Sequence, residues 1–228
     1  MPNPETDVEA QKRAAAGKAL ELVEAGMVLG LGTGSTARYF IEGVGRLVNQ
    51  GLDIRAVATS LDSRRRAESC GIPLLDEVAG VIDLTIDGAD EIDPGLNCIK
   101  GRGGALLREK IVAHASRRFV LIADESKLVA ELGRGPVPVE VVPFLWQRTE
   151  HDVVALGGRS TVRGDGASPY RTDNGNFILD VMFDRVGEPL AADLRRIPGV
   201  VGHGLFLRMA HAAIVAGGSG TRLLGALA

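Results

Sequence analysis

Short apolar runs alternate with longer segments of helical character over the first half of the chain. Four apolar runs predict buried strands: MVLGLG (27–32), IRAVATS (54–60), VIDLTI (81–86) and FVLIAD (119–124). The segments before and between these runs predict helices at 6–25, 36–48, 62–70 and 104–116. Strands that alternate with helices in this way are typical of a parallel sheet covered on both faces.

The pattern changes in the second half, where strands and helices follow in the order β-α-β-β-α-β. The predicted elements are strands at 136–144, 160–163, 177–183 and 199–206 and helices at 146–156 and 188–197, with a turn at TDNGN (172–176). That order is typical of a small ferredoxin-like domain. HAAIVAGG (211–218) predicts a strand that returns to the first sheet, and GGSGTRLL (217–224) predicts only a closing turn.

The predicted fold class is therefore α/β, a Rossmann-like parallel sheet domain with an inserted smaller α+β domain. The Rossmann-like domain is predicted to comprise residues 1–132 plus 207–228, and the ferredoxin-like domain residues 133–206. A chain of 228 residues can bury a sizeable core without disulfide bonds.

Composition narrows the functional classes. The net charge of −3 provides no basic field for nucleic acid or an anionic membrane, and three aromatic residue types total only 4% of the chain. No apolar segment reaches the roughly 20 residues that span a bilayer, and the charged start of the chain lacks the apolar run of a signal peptide. Cys70 and Cys98 form no disulfide framework. We expect a cytoplasmic protein without nucleic-acid or membrane partners.

Polar clusters follow the carboxyl ends of all four predicted strands. They are GTGST (32–36), Thr59-Ser60, DGADEID (87–93) and the segment 124–127. In an open parallel sheet, ligands bind at that edge. The GTGST turn between a strand and a helix favours a phosphate site, and the alternative is a tight turn with an N-cap hydroxyl. It matches neither the Walker A pattern nor G-x-G-x-x-G, so a nucleotide is not implied.

Two further segments carry candidate chemistry. Four carboxylates crowd the predicted acidic loop 87–93, which fits a metal site, a sugar-hydroxyl and acid/base site, or a solvated turn. The EF-hand pattern fails there, and the four histidines have no metal-ligand spacing. Lys100 and the glycines after it could stabilise an oxyanion. From spacing alone, Glu109 is an exposed helical charge and Lys127 a surface lysine.

Several stretches in order resemble the type A ribose-5-phosphate isomerases. They are GLGTGSTA (30–37), DGADEID (87–93), IKGRGGALLREKI (99–111), ADESK (123–127), GPVPVEVVP (135–143), TDNGNFILDV (172–181) and IPGVVGHGLF (197–206). The resemblance implies reversible aldose-ketose isomerisation of ribose 5-phosphate and ribulose 5-phosphate in the non-oxidative pentose phosphate pathway. It implies no metal and no other cofactor, a phosphosugar as the only small-molecule partner, and a homo-oligomer, either dimer or tetramer.

The resemblance also assigns roles to residues. It makes Glu109 the base that moves the proton between C1 and C2, with Asp87 and Lys100 as further catalytic groups. The implied substrate-binding residues are Thr33, Gly34, Ser35, Thr36, Asp87, Gly88, Ala89, Asp90, Lys100, Gly101, Arg102, Gly103 and Lys127. Arg102 departs from the run of glycines that is common there, and Lys12 matches a further phosphate contact of some members.

Three alternatives remain open at this point. A phosphosugar-sensing module would bind the same ligand without converting it, and it would be fused to a DNA-binding segment. An acyl transferase acting on coenzyme A would use a glutamate nucleophile. An isomerase of six-carbon phosphosugars would use the same chemistry on a longer substrate.

Overall fold

The structure is a computed structural model that describes residues 4–78, 80–165 and 168–226. The described residues form two compact units. Unit 1 comprises the described residues of Met1–Ala89, Arg108–Lys127 and Met209–Ala228, and unit 2 comprises those of Asp90–Leu107 and Leu128–Arg208. The predicted domain bounds stay a prediction. Residues 90–107 pack within unit 2.

The elements are numbered along the chain. In order they are α1 (Pro4–Leu20), β1 (Val28–Leu31), α2 (Ala37–Asn49), β2 (Arg55–Ala58), α3 (Leu61–Ser69), β3 (Ile82–Gly88), β4 (Glu91–Ile92), β5 (Cys98–Ile99), α4 (Leu106–His114), β6 (Ser116–Asp124), a 3₁₀ turn (Glu125–Lys127), β7 (Val137–Val141), α5 (Trp146–Val154), β8 (Gly158–Val162), β9 (Gly164–Asp165), β10 (Ser168–Pro169), β11 (Phe177–Phe183), α6 (Glu188–Leu194), β12 (Val200–His203), β13 (Leu205–Phe206), β14 (Ala212–Gly217) and β15 (Gly220–Gly225). No helix in the described ranges is long and apolar enough to cross a membrane.

Unit 1 contains a six-stranded sheet in the order β15-β14-β6-β3-β1-β2. Five of the strands are parallel, as predicted, and β15 pairs antiparallel with β14 at one edge. The prediction of a closing turn at 217–224 is wrong for most of its length, because residues 220–225 form β15. β15 has little buried surface, so its backbone ladder rather than its side chains joins it to the sheet.

The core of unit 1 explains why the apolar runs became strands. Leu29, Leu84 and Ile122 from neighbouring strands are fully buried together with apolar residues of α1 and α2. Strands buried on both faces need continuous apolar runs rather than alternation. The helix predicted at 6–25 ends at Leu20, and the next residues turn through hydrogen bonds to carbonyls three positions back.

Unit 2 contains a four-stranded antiparallel sheet in the order β12-β7-β11-β8. Taken with α5 and α6, this is the predicted β-α-β-β-α-β arrangement, which confirms the ferredoxin-like pattern. Its core contains alternate residues of the two central strands, including Val137, Val139, Leu179 and Val181. The strand FILDVMF has the predicted bounds, 177–183.

A separate three-stranded sheet in unit 2 was not predicted. It has the order β13-β5-β4 and draws on two segments interpreted differently from the sequence. The strand predicted at 199–206 divides at Gly204 into β12 and β13, which belong to different sheets. The prediction of an acidic loop at 87–93 is wrong in part. β3 continues through Gly88, and Glu91–Ile92 forms the short strand β4.

Candidate active site

The residues that the resemblance implicates fall in both units, and each group is described within its own unit. Unit 1 holds Thr33, Gly34, Ser35, Thr36, Asp87, Gly88, Ala89, Glu109 and Lys127, and unit 2 holds Asp90, Lys100, Gly101, Arg102 and Gly103. In unit 1 the carboxyl ends of β1, β2, β3 and β6 lie at one edge of the sheet, where Leu31 pairs with Ala58 and with Ile86.

Thr33 brings two of the polar clusters together at that edge. Its hydroxyl lies 2.8 Å from the Thr59 hydroxyl, donates to Ser60 Oγ at 2.8 Å and lies 3.0 Å from Ser63 Oγ. Ser63 in turn donates to the carbonyl of Gly32 at 2.6 Å. These hydroxyls therefore hold the glycine-rich turn against α3. Ser63 was not among the predicted residues, since it lies within a charged helix.

The GTGST turn presents backbone donors. Gly34 has φ +111°, a conformation that favours glycine, and both Gly34 and Ser35 are exposed at the start of α2. Within the described ranges, no group accepts a hydrogen bond from the N–H of Gly34, Ser35 or Thr36. Thr36 occupies the N-cap position without a side-chain cap hydrogen bond. The turn therefore offers several amides and a helix N-terminus to an anion.

Asp87 lies beneath this turn at the end of β3. Its side chain is fully buried, and Oδ1 accepts from the N–H of Thr33 at 3.0 Å and of Gly88 at 2.7 Å. A Cβ on Gly32 would overlap Asp87 Oδ1, so the glycine leaves the space that the carboxylate occupies. Asp87 is thus fixed by the turn next to it.

Glu109 is buried, which corrects the expectation from spacing. Glu109 lies in the first turn of α4 and is only 4% exposed, whereas Ile111 on the same helix is 59% exposed. The segment Arg108-Glu109-Lys110 resembles a solvated helix face, yet the structure places the carboxylate inside and the isoleucine outside. Glutamate is seldom buried unless it has a partner or a function.

Two further residues lie at the end of β6 in unit 1. Lys127 ends the 3₁₀ turn and is half-buried. Asp124, the last residue of β6, is fully buried, and its Oδ1 accepts from the backbone N–H of Ser126 at 3.1 Å and from the Ser126 hydroxyl. Asp124 therefore fixes the backbone that leads to Lys127.

In unit 2, Asp90 and the segment Lys100–Gly103 lie together. Asp90 donates its N–H to the Ile99 carbonyl at 2.8 Å, and its Oδ2 accepts from the N–H of Arg102 at 3.0 Å. The Arg102 Nε atom lies 3.9 Å from Asp90 Oδ1. Asp90 is thereby oriented by the backbone and the side chain of Arg102.

Lys100 is buried, with its Nζ 5.6 Å from the ring centroid of Phe206. A cation over an aromatic face is attracted by the ring quadrupole. Gly101 is buried with φ +114°, and a Cβ there would lie 2.9 Å from Leu106 Cβ. In the part of the chain that the structure describes, the N–H groups of Gly101 and Gly103 have no acceptor. Phe206 was not among the predicted site residues.

The other two carboxylates of the acidic segment are bound to backbone N–H groups. Glu91 accepts three hydrogen bonds from residues 133–135, and Asp93 accepts from the N–H groups of Gly95 and Asn97. Among the described residues, no three His, Cys, Asp or Glu side chains are grouped as ligands for a metal ion. The four carboxylates of this segment therefore each accept hydrogen bonds from different backbone N–H groups.

Comparison with known proteins identifies the family of this fold and these motifs. The family model described as Ribose 5-phosphate isomerase A (phosphoriboisomerase A) matches residues 55–220. The chain belongs to this family.

Relatives of similar length support the assignment. The Ribose-5-phosphate isomerase A of Nitrobacter hamburgensis is 50% identical over 95% of this chain and 98% of its own length, and that of Gluconobacter oxydans is 52% identical over 92% and 94%. A solved D-ribose-5-phosphate isomerase in complex with phospho-erythronic acid has a TM-score of 0.91 at 41% identity, covering 96% of this chain and 99% of that one. The Plasmodium falciparum enzyme has a TM-score of 0.91 at 36% identity, covering 96% and 100%.

Proposed function

We propose that this chain interconverts D-ribose 5-phosphate and D-ribulose 5-phosphate, with Glu109 as the general base. Its family membership and its relatives named ribose-5-phosphate isomerase support the reaction. The observation that carries the assignment of the base is the burial of Glu109 on a helix that exposes an isoleucine. The reaction belongs to the non-oxidative branch of the pentose phosphate pathway.

The chemistry needs one group that both removes and returns a proton. The Glu109 carboxylate takes the proton from C2 of the open aldose, and the C2–H electrons form the carbon–carbon double bond of an enediolate. The carbonyl electrons move onto the C1 oxygen, which gains negative charge. The proton of the C2 hydroxyl then passes to the C1 oxygen, Glu109 returns its proton to C1, and the C2 carbonyl forms, which gives the ketose. A positioned carboxylate is suited to both transfers.

The remaining groups have separate tasks in this proposal. The amides of the GTGST turn bind the phosphate, so binding energy distant from the reacting carbons positions the substrate. Support for an anionic phosphosugar ligand comes from the relative that was solved with phospho-erythronic acid. Asp87 moves a hydroxyl proton during ring opening, and Asp90 holds sugar hydroxyls.

Lys100 and the amides after it stabilise the oxygen that gains charge. Donors that are fixed before the reaction cost no reorganisation when the charge develops, and a single one is worth about 3 kcal/mol. The N–H groups of Gly101 and Gly103 suit this task because no group in the described ranges accepts from them.

The test is ribulose 5-phosphate formation from ribose 5-phosphate in EDTA, with wild type, Glu109→Gln and the control Glu24→Gln. Glu24 is an exposed glutamate of unit 1, so its change should leave the rate unaltered. Glu109→Gln should fold normally and lose at least about 10²-fold in kcat. A rate for Glu109→Gln within a few-fold of wild type would remove Glu109 as the base.

Two other outcomes bear on the proposal. Loss of wild-type activity in EDTA would contradict a reaction without a metal. Binding of ribose 5-phosphate without conversion would favour the phosphosugar-sensing alternative.

We also propose that the protein is a cytoplasmic homo-oligomer, either a dimer or a tetramer. The absence of a disulfide between Cys70 and Cys98, both of which lie in the described ranges, supports a reducing compartment. Light scattering coupled to size-exclusion chromatography would measure the assembly, and a mass of one chain would contradict it.

A further inference from the structure

A bidentate ion pair fixes the side chain of Arg163 in unit 2. Arg163 follows β8, and Asp180 lies on the neighbouring strand β11. Arg163 Nε donates to Asp180 Oδ2 at 2.8 Å, and Nη2 donates to Oδ1 at 2.5 Å. The side chains are only 17% and 24% exposed, so the pair is shielded from most solvent. Parallel hydrogen bonds of this kind set the orientation of the guanidinium plane.

The remaining amino group of Arg163 points at the backbone of the Lys100–Gly103 segment. Nη1 donates to the carbonyl of Gly101 at 2.9 Å and to the carbonyl of Arg102 at 3.1 Å. All three nitrogens of the guanidinium are thus engaged, two by Asp180 and one by this segment. Arg163 and Asp180 were not predicted as site residues from the sequence, since 61 positions separate Arg163 from Arg102.

Those two hydrogen bonds determine where the segment's amides point. In a trans peptide, the C=O of one residue and the N–H of the next point in opposite directions. Because the Gly101 carbonyl faces Arg163, the N–H of Arg102 faces away from it and donates to Asp90 at 3.0 Å. Because the Arg102 carbonyl also faces Arg163, the N–H of Gly103 is directed away as well.

Such an anchor matters because the segment contains two glycines and a third glycine follows it. Gly101, Gly103 and Gly104 give the backbone many accessible conformations, and glycine loses more freedom on ordering than other residues. Oxyanion donors are effective only when their direction is fixed before the charge develops. A rigid cation that holds two successive carbonyls supplies that rigidity.

We infer that Arg163 and Asp180 are positioning residues. They hold the amide of Gly103 in the direction needed for the enediolate oxygen, and they hold the amide of Arg102 in the direction that orients the carboxylate of Asp90. The inference rests on the proposed function. The pair itself touches no reacting atom and acts through the backbone of residues 101–103.

The test compares Arg163→Lys with a matched control, Arg148→Lys. Lysine keeps the charge but cannot pair bidentately with Asp180 and also hold two carbonyls. Arg148 pairs with Asp152 at 2.6 Å in the same unit, with side chains 67% and 35% exposed. Arg163→Lys should lower kcat by about 10- to 100-fold, the cost of misplaced catalytic groups, with little change in KM. Arg148→Lys should match wild type.

Ligand binding separates positioning from simple loss of folding. Phospho-erythronate carries a carboxylate that resembles the enediolate, so its Kd should weaken in parallel with kcat/KM. The Kd of inorganic phosphate should stay constant, because the GTGST turn lies in unit 1. Asp180→Asn, which retains Arg163 but loses the bidentate pair, should show the same changes to a smaller extent.

The outcomes distinguish this inference from the proposed function. If wild type does not isomerise ribose 5-phosphate, the proposed function fails. If wild type is active and Arg163→Lys has an unchanged kcat, the positioning role is refuted and the function stands. Arg163→Lys and Asp180→Asn could instead bind fewer phospho-erythronate molecules per chain, with a wild-type kcat per binding site. In that case the pair only supports folding, and the inference is overturned.

Discussion

Glu91 should be a structural carboxylate whose loss destabilises unit 2. It is fully buried on β4, within a segment of four acidic residues. Its Oε2 accepts from the N–H of Gly133 at 2.8 Å and of Arg134 at 3.2 Å, and its Oε1 accepts from the N–H of Gly135 at 2.6 Å. One side chain therefore satisfies three successive backbone donors of the segment before β7.

The substitution Glu91→Gln changes the shape of the side chain very little but removes one acceptor. The NH2 group of glutamine donates hydrogen bonds but cannot accept one, so at least one of the three backbone donors is left without its partner. A buried donor that loses its acceptor costs about 1–3 kcal/mol. For a chain of this size each kcal/mol lowers Tm by about 2–4 °C. We expect Glu91→Gln to lower Tm by about 4–8 °C, from a loss of about 2 kcal/mol.

Thermal unfolding followed by circular dichroism measures this shift. The control is Glu131→Gln, an exposed glutamate in the same unit, which should stay within about 0.5 kcal/mol of wild type. A Tm for Glu91→Gln within 1 °C of wild type, on the order of the control's change, would refute the assigned role. A normal Tm combined with a large loss of kcat would instead place Glu91 in the chemistry.

Two further predictions concern other parts of the chain. A hydrogen bond from Lys12 is the main reason that the pKa of Glu9 falls from 4.5 to about 2, so its stabilisation is present above pH 4.5 and is lost as the pH falls towards 2. Glu9→Gln should therefore unfold at lower urea than wild type at pH 7, and equal midpoints at pH 7 would contradict this. A Cβ on Gly204 would overlap the Lys100 carbonyl, so Gly204→Ala should lose about 1–3 kcal/mol in urea unfolding and lower kcat. The control for Gly204→Ala is Gly17→Ala in α1, where nothing lies within 4 Å of the added Cβ, and this control should stabilise the protein by about 0.5–1 kcal/mol.

The sequence was sufficient to predict those strands and helices whose side chains are buried. The buried runs of unit 1 are apolar because they pack on both faces. In FILDVMF, alternate side chains are buried in the core of unit 2. β15 left no such pattern, since most of its residues are exposed and backbone hydrogen bonds attach it to β14. The division at Gly204 was equally hidden, because it depends on which distant strand pairs with each half.

The site residues also differ in whether their neighbours along the chain were enough to predict their role. The glycine-rich turn and the carboxylates at strand ends could be found from their positions along the chain. The burial of Glu109 could not, because its neighbours in sequence, Arg108 and Lys110, are charged and indicate an exposed helix face. The resemblance to a family supplied the role of Glu109. The function of Glu91 as a backbone acceptor was also hidden among three similar carboxylates.

The position of β14 in the chain has a consequence for synthesis on the ribosome. β14 covers one edge of β6, but residues 125–211 lie between the two strands in sequence. At about 5–20 residues per second, roughly 4–18 s pass between their translation. During that interval β6 presents unpaired N–H and C=O groups, and such an edge can pair with other chains. The four-stranded sheet of unit 2 is complete before β14 is made, so a nascent chain needs protection at β6 in particular.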